Sequence, residues 1–194
     1  RFPFYFVQLA NYMARDSQPS EDSKWAVVRE SQQLALKLPE TGTALAIDTG
    51  DNPFNIHPLN KKDIAHRLAL NALAQVYGQQ VEYSGPLFES KVVKGNQIVL
   101  TFSHAEGLHA GRFAPEPKVI GFAICGADRK FVWANAVIEG NKVMVSSPEV
   151  KNPTEVRYGW GNNPEVNLYN NAGLPASPFR TDTFPVVTQI KGTK

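Results

Sequence analysis

The first part of the chain alternates between apolar runs and polar stretches. Phe2 to Leu9 is a near-continuous apolar and aromatic run, which predicts a strand covered on both faces. After a polar stretch, Asp22 or Ser23 can cap a helix that runs to about Leu38. The apolar side of this helix is expected to carry Val27, Leu34 and Leu38. Thr43 to Ile47 then predicts a second buried strand.

A second helix is predicted to begin after Asn60, a good N-cap with Asp63 three residues on, and to end at Gly78. The apolar stripe expected to lie against a sheet consists of Ala65, Leu68, Ala69, Ala72, Leu73 and Val76. Strand, helix, strand and helix in this order predict a parallel α/β sheet. Two strands cannot cover both helices, so we expect the remaining strands to come from another segment or a docked partner.

Beyond the second helix the pattern changes to short alternating runs. They are separated by turn pairs such as Gly95-Asn96 and Gly140-Asn141. The runs are Phe88 to Val93, Gln97 to Phe102, Lys118 to Ile124, Phe131 to Ile138, Lys142 to Ser146 and Glu155 to Tyr158. Several short strands with regular turns predict an antiparallel β-sandwich.

These two patterns divide the chain into two predicted domains. Residues 1–84 are expected to form part of an α/β domain, and residues 85–194 a β-sandwich domain with an irregular tail. The tail, residues 167–185, is rich in Asn, Pro and Gly, and we expect it to run irregularly over the surface.

Charge and composition argue against several classes of protein. Twenty basic and eighteen acidic residues give a formal net charge of +2, and no basic run exceeds Lys61-Lys62. Nucleic acids and anionic membranes require clustered Lys and Arg, so neither is an expected partner. The apolar run at the start is too short to span a bilayer. The single cysteine, Cys125, lies in an apolar context and is expected to be a small buried hydrophobe.

One histidine, His57, stands in the loop between the second predicted strand and the helix after it. In open parallel sheets, loops that leave the carboxyl ends of strands bind ligands. An imidazole there can act as a general base toward a hydroxyl nucleophile, although it can equally be a polar loop residue or a helix packing contact. The chain has no G-x-S-x-G elbow, P-loop or Gly-rich dinucleotide turn, so it offers a base without an obvious nucleophile.

Several segments resemble, in order, the C-terminal half of the sialate O-acetylesterase family. They are FPFYFVQLANY, WAVVRESQ, TGTALAIDTGD and NIHPLNKKDIAHRLALNAL, followed by GPLFES, VRYGW and NLYNNAGLPASPFRTD. Proteins of that family are SGNH-type carbohydrate esterases. The resemblance therefore implies the C-terminal part of a parallel-sheet, flavodoxin-like SGNH hydrolase domain, followed by the β-domain of the family.

The resemblance also implies roles for particular groups. The histidine of the IHP segment is the catalytic base of the family, so His57 takes that role. It would deprotonate a serine that attacks the acetyl carbonyl, and water would resolve the acyl-enzyme. The serine and the oxyanion-hole residues of the family lie nearer the N-terminus, outside this chain. The expected partner is thus the N-terminal portion of the same protein, and no metal or organic cofactor is implied.

The sequence departs from the family at the residue that orients the histidine. Hydrolases of this class usually place an aspartate three or two residues before it, where this chain has Phe54 and Asn55. The Asn55 oxygen can hold an imidazole but carries no full charge. Asp51, six residues before His57, is the other candidate for the third catalytic group.

Four further residues are candidate substrate-binding groups at family-like polar or aromatic positions. Gln8 ends the first strand, while Arg29 and Gln32 are i, i+3 neighbours on the first helix. Charged residues on a helix are more often a solvated face. Trp160 in YGWG can stack on a sugar ring, or it can belong to the core.

Two classes of function follow. The first is the C-terminal portion of an enzyme that hydrolyses acetyl esters on sialic acids or related glycans, with acetylated xylan or another plant glycan as alternative substrate. The second is a non-catalytic carbohydrate-binding or interaction module. The chain has no N-x-S/T sequon free of an intervening proline, and we expect a secreted or periplasmic protein, as is common in the family.

Overall fold

The computed structural model describes residues 2–50, 52–111 and 118–186. Within the first part, β1 (Phe4–Val7) pairs in parallel with β2 (Thr41–Ala44). The second strand begins two residues before the predicted one and ends three residues earlier. The three residues that follow it, Leu45 to Ile47, nevertheless stay buried.

Helix α1 (Lys24–Leu34) begins where the sequence predicts. The hydroxyl of Ser23 accepts a hydrogen bond from the backbone N–H of Ala26 at 3.0 Å, which confirms Ser23 as its N-cap. One turn of 3₁₀ helix (Ala35–Lys37) follows. On the predicted apolar side Val27 is buried, but Leu34 and Leu38 are exposed, so only the first half of that side packs.

The described residues do not cover the first strand on both faces, as expected where further strands come from another segment or a partner. Phe2 is 80% exposed and Phe4 57% exposed. The reason is that β1 has a single neighbouring strand, and helix α2 covers only part of the pair. A run of aromatic residues thus faces solvent on a two-stranded sheet.

Helix α2 (Lys61–Gln75) has the predicted N-cap, because the Asn60 side chain accepts a hydrogen bond from the N–H of Asp63 at 3.2 Å. Its predicted apolar stripe is only partly buried. Leu68, Ala72 and Leu73 are half-buried, and Leu68 packs against a buried cluster, whereas Ala65, Ala69 and Val76 are exposed.

The side of α2 that is buried instead carries Ile64, Arg67 and Asn71. Two polar groups decide this orientation. Arg67 donates to the carbonyl of Leu45 at 2.6 Å, and Asn71 donates to the carbonyl of Thr43 at 3.2 Å. The side of the helix that faces β2 and the residues just after it therefore carries hydrogen-bonding side chains. The spacing of apolar residues along the sequence does not predict such a side.

The second part of the chain is mostly antiparallel. One sheet has the strand order β3-β4-β9-β8, a second has the order β12-β10-β6-β7, and β5 pairs with β11. The strands are β3 (Leu87–Lys94), β4 (Gln97–Ser103), β5 (His109–Ala110), β6 (Phe122–Cys125), β7 (Val132–Trp133), β8 (Asn135–Glu139), β9 (Lys142–Ser146), β10 (Glu155–Tyr158), β11 (Leu168–Tyr169) and β12 (Phe179–Arg180). Both predicted glycine turns are present, with positive φ at Gly95 and Gly140.

One hydrophobic cluster joins the two larger sheets. Fully buried residues from both contribute to it, among them Ile98, Leu100, Ile124, Val143 and Val156. The ring of Phe88 in β3 stacks on Phe179 in β12 with centroids 4.6 Å apart. The chain is therefore an α/β protein with several sheets, in which apolar burial is concentrated in the antiparallel part.

An irregular surface course for residues 167–185 is wrong. Leu168 and Ala176 are fully buried. Asn170 donates to the carbonyls of Ser84 and His104, both at 2.9 Å, and the N–H of Leu168 bonds the hydroxyl of Tyr158 at 3.1 Å. Amide side chains satisfy the backbone there, so an Asn- and Pro-rich segment can lie in the core.

Among the described residues, no helix combines the length and apolar character needed to cross a membrane.

Candidate functional site

His57 lies exposed in the loop between β2 and α2. The side-chain oxygen of Asn55 accepts a hydrogen bond from the backbone N–H of His57 at 3.0 Å and lies 3.2 Å from its Nδ1. When Nδ1 carries the proton, the Asn55 oxygen accepts a hydrogen bond from Nδ1–H, and Nε2 keeps its lone pair. That tautomer is the one a general base requires.

The structure brings Asn55 to His57, as one of the two predicted orienting residues. The other, Asp51, lies outside the described residues. Its neighbours Gly50 and Asn52 belong to the loop that carries His57. The backbone N–H of Met13 donates a hydrogen bond to the carbonyl of Pro53 in this loop at 2.8 Å.

Sequence reasoning missed the ion pair at the base of this loop. Asp48, just after the buried continuation of β2, accepts two hydrogen bonds from Arg67 of α2, at 2.6 and 2.7 Å. Both side chains are 4% exposed, and the Tyr169 hydroxyl also donates to Asp48 at 3.1 Å. The DTGDN segment thus contains a buried charged anchor. Arg67 lies three residues after Ile64 and therefore on the same side of the helix. This position is the sequence signal that could have indicated a buried arginine.

Arg29 is fully buried, contrary to the usual solvated position of a helix arginine. Its Nε donates to the carbonyl of Leu9 at 2.8 Å and Nη1 to that of Gly161 at 2.8 Å. Nη2 donates to the carbonyl of Ala10 at 3.0 Å and to the Asn11 side chain at 2.8 Å. Burial lowers the pKa of Arg29 to about 10. These bonds hold the segment after β1 against the second part of the chain.

The two glutamines also bond to the backbone. Gln8 is buried and donates to the carbonyl of Arg29 at 3.4 Å. The Gln32 side chain accepts from the N–H of Leu9 at 2.9 Å and donates to the carbonyl of Val7 at 3.4 Å. Gln32 thereby pairs with the end of β1 as a neighbouring strand would. A direct role for either side chain in substrate binding stays a prediction.

Trp160 is 7% exposed and packs between charged groups. The guanidinium groups of Arg157 and Arg180 lie 5.0 and 5.2 Å from its ring centroid. The same residue lines a cleft of about 300 Å³, together with Trp133, Pro164 and other side chains. The structure thus combines both sequence interpretations of Trp160, a core residue and a wall of a surface cleft.

Cys125 is fully buried, which confirms its prediction as a small hydrophobe, and burial raises the pKa of its thiol to about 11. A thiol in that state is a poor nucleophile at neutral pH. Within the described ranges, no group of three or more His, Cys, Asp or Glu side chains is arranged to hold a metal ion.

Known proteins similar to this chain are acetylesterases. No protein-family model matches. The chain is 28% identical to the sialate O-acetylesterases of Mus musculus and Homo sapiens, in each case over 92% of its own length. It spans about a third of those relatives, 35% and 36% of their lengths.

A solved structure gives a second match. The chain superposes on a carbohydrate acetylesterase from Xanthomonas citri with a TM-score of 0.86 and 48% identity, covering 94% of this chain and 41% of that one. The match lies in the C-terminal part of that enzyme. In fold and sequence the chain is thus similar to carbohydrate acetylesterases. The predicted resemblance to the sialate O-acetylesterase family is confirmed.

Proposed function

We propose that this chain is the C-terminal portion of a carbohydrate O-acetylesterase, which hydrolyses acetyl esters on sialic acids or related glycans by serine–histidine acyl transfer. The observation that carries the proposal is His57, an exposed imidazole with Asn55 3.2 Å from its Nδ1. Similarity to acetylesterases over 92% and 94% of the chain supports the same chemistry.

The proposed mechanism gives His57 four proton transfers. Nε2 takes the proton of a serine hydroxyl as the oxygen attacks the acetyl carbonyl, then gives it to the departing sugar oxygen. The same nitrogen takes a proton from the water that attacks the acyl-enzyme, and gives it to the serine oxygen as acetate leaves. Asn55 fixes the ring and its tautomer, but a neutral amide stabilises the imidazolium less than a carboxylate would.

The serine and the oxyanion hole would come from the N-terminal portion of the same protein, in an SGNH-type parallel sheet. Two exposed surfaces support this partner. The apolar side chains of Phe2, Phe4 and Val7 in the β1 region are exposed, and α2 leaves Ala65 and Ala69 exposed. Further strands and helices packed on these surfaces would bury both.

The test is a His57→Ala substitution in the full-length protein. We expect kcat on p-nitrophenyl acetate and on an O-acetylated sialoside to fall by about 10²–10⁴-fold, as for loss of a general base. His66→Ala, an exposed histidine on α2, is the matched control and should retain the parent rate. Hydrolysis by His57→Ala at the parent rate would contradict the proposal.

The substrate and the compartment complete the proposal. O-acetylated sialosides and acetylated xylo-oligosaccharides should be compared in the same assay, and the larger kcat/KM identifies the glycan.

We place the protein in the periplasm or outside the cell, where it would encounter such glycans. Fractionation of cells that produce the native protein tests that placement.

A further inference from the structure

The cleft of about 300 Å³ lies between the segment that follows β1 and the second part of the chain. Trp133, Trp160 and Pro164 form its apolar wall. Its volume falls at the lower end of the range of about 300–1,000 Å³ found for small-molecule sites. The cleft is thus large enough for one compact ligand unit.

Trp133 is fixed in position while much of its ring stays open. Its Nε1 donates to the carbonyl of Ser17 at 3.1 Å, although the residue is 44% exposed. An exposed indole held by its polar edge presents its π face without losing rotamer freedom on binding. The axial C–H groups of a pyranose carry partial positive charge and pack favourably on such a face.

The charged groups of the cleft balance each other. Among the described lining residues, Arg15 forms an ion pair with Glu165, and the other charged ones are Asp16 and Lys118. These two cations and two carboxylates leave no net charge to select an acidic sugar. Carboxylates and cations at the rim can instead hydrogen-bond the hydroxyl groups of a neutral one.

The cleft continues toward the loop that carries His57. A second cleft of about 350 Å³ shares Arg15 and Asn163 with it and is also lined by Gly50, Asn52 and Pro53. These three loop residues precede His57 by a few positions in the chain. One glycan can thus extend from the histidine loop to the tryptophan wall.

We propose that the Trp133 cleft binds a neutral pyranose unit of the oligosaccharide whose acetylated unit lies at His57. The inference rests on the proposed function and adds a substrate class to it, namely acetylated glycans with an uncharged sugar beyond the reacting one. Trp133 acts in binding and takes no part in the acyl transfer.

The test is Trp133→Ala in the full-length protein, with Trp133→Phe as the conservative variant and Val137→Ala as control at another exposed apolar residue. Substrates are acetylated oligosaccharides from xylan and glucomannan, acetylated sialyllactose, and p-nitrophenyl acetate. We expect Trp133→Ala to raise KM about tenfold for at least one neutral oligosaccharide, with kcat and the p-nitrophenyl acetate rate unchanged. Trp133→Phe should recover most of the loss.

An unchanged KM on both neutral substrates would overturn the inference. Calorimetric titration with the deacetylated oligosaccharides separates it from the esterase proposal. If the parent protein hydrolyses no acetyl ester but binds a neutral oligosaccharide, and Trp133→Ala weakens that binding, the proposed function fails while the cleft assignment holds.

Discussion

At the scale of single residues, Asn55 decides how His57 is presented. Replacing it with Ala removes both hydrogen bonds of the amide oxygen, at 3.0 and 3.2 Å, and leaves the ring free to rotate. We expect Asn55→Ala to lower kcat about tenfold in the full-length protein, with KM little changed.

Asn55→Asp keeps the geometry and adds a charge that favours the imidazolium. It should therefore move the acid limb of the pH–rate profile to higher pH. Identical profiles for Asn55→Asp and the parent would show that Asn55 does not act on His57.

Local chemistry made some residues predictable from sequence. Ser23 and Asn60 each precede a segment in which apolar residues recur at helical spacing, and both are N-caps. Cys125 lies within an apolar run and is buried. Arg29 and Arg67 escaped prediction because their partners, backbone carbonyls and Asp48, lie on elements distant in sequence. The position of an arginine on one helix side can indicate that it is buried, but it does not reveal which acceptors on another element its guanidinium meets.

At the scale of elements, the loop that carries His57 is held at both ends. Asp48 lies at the start of the loop, and helix α2 begins where the loop ends. The Asp48–Arg67 ion pair therefore joins the start of the loop to this helix. Arg67→Met would leave a buried carboxylate without its guanidinium, and such a loss costs about 3–5 kcal/mol in the free energy of unfolding. The Tyr169 hydroxyl also donates to this carboxylate, but it brings no positive charge to replace that of the guanidinium.

Denaturant unfolding of Arg67→Met beside Lys62→Met, an exposed lysine on the same helix, measures this contribution. Lys62→Met should stay within about 0.5 kcal/mol of the parent. Below the unfolding transition, Arg67→Met should also lose kcat, since the loop that presents His57 loses its anchor. Equal stability of the two variants would mean that the ion pair does not hold the loop.

Hairpins were predicted better than helix faces, and the reason is physical. A two-residue turn such as Gly95-Asn96 fixes the register of its strands locally, so β3 and β4 agree with the sequence within a residue or two. The exposed side of α2 was assigned wrongly, because Ala65 and Ala69 are small and apolar yet lie at solvent. The buried tail was missed because Asn170 supplies hydrogen bonds that composition alone cannot reveal.

At the scale of the whole molecule, one ionic network connects the tail to both parts of the chain. Asp182 is paired with Arg157 of β10, at 2.7 and 3.1 Å, and with Arg180 of β12 at 3.2 Å. Arg180 in turn bonds the carboxylate of Glu30 on α1, at 2.7 and 3.1 Å. Loss of the central carboxylate would therefore weaken contacts in both parts of the chain.

Asp182→Asn tests this network. Burial opposes ionisation, but the hydrogen bonds and charge of Arg157 outweigh it, so the pKa of Asp182 lies below its ordinary value. The pair therefore stabilises the fold above the unfolded-state pKa, near 3.9, and this stability is lost as the pH falls through the lower folded-state pKa. Asp182→Asn should lower the free energy of unfolding at pH 7 by about 3–5 kcal/mol, because Arg157 stays buried without its full charge partner.

The difference in the free energy of unfolding between Asp182→Asn and the parent should shrink below pH 4. Asp128→Asn, at an exposed turn, is the control and should match the parent at every pH. A difference that does not change between pH 7 and pH 3 would mean that packing, and not the charge of Asp182, holds the tail in place.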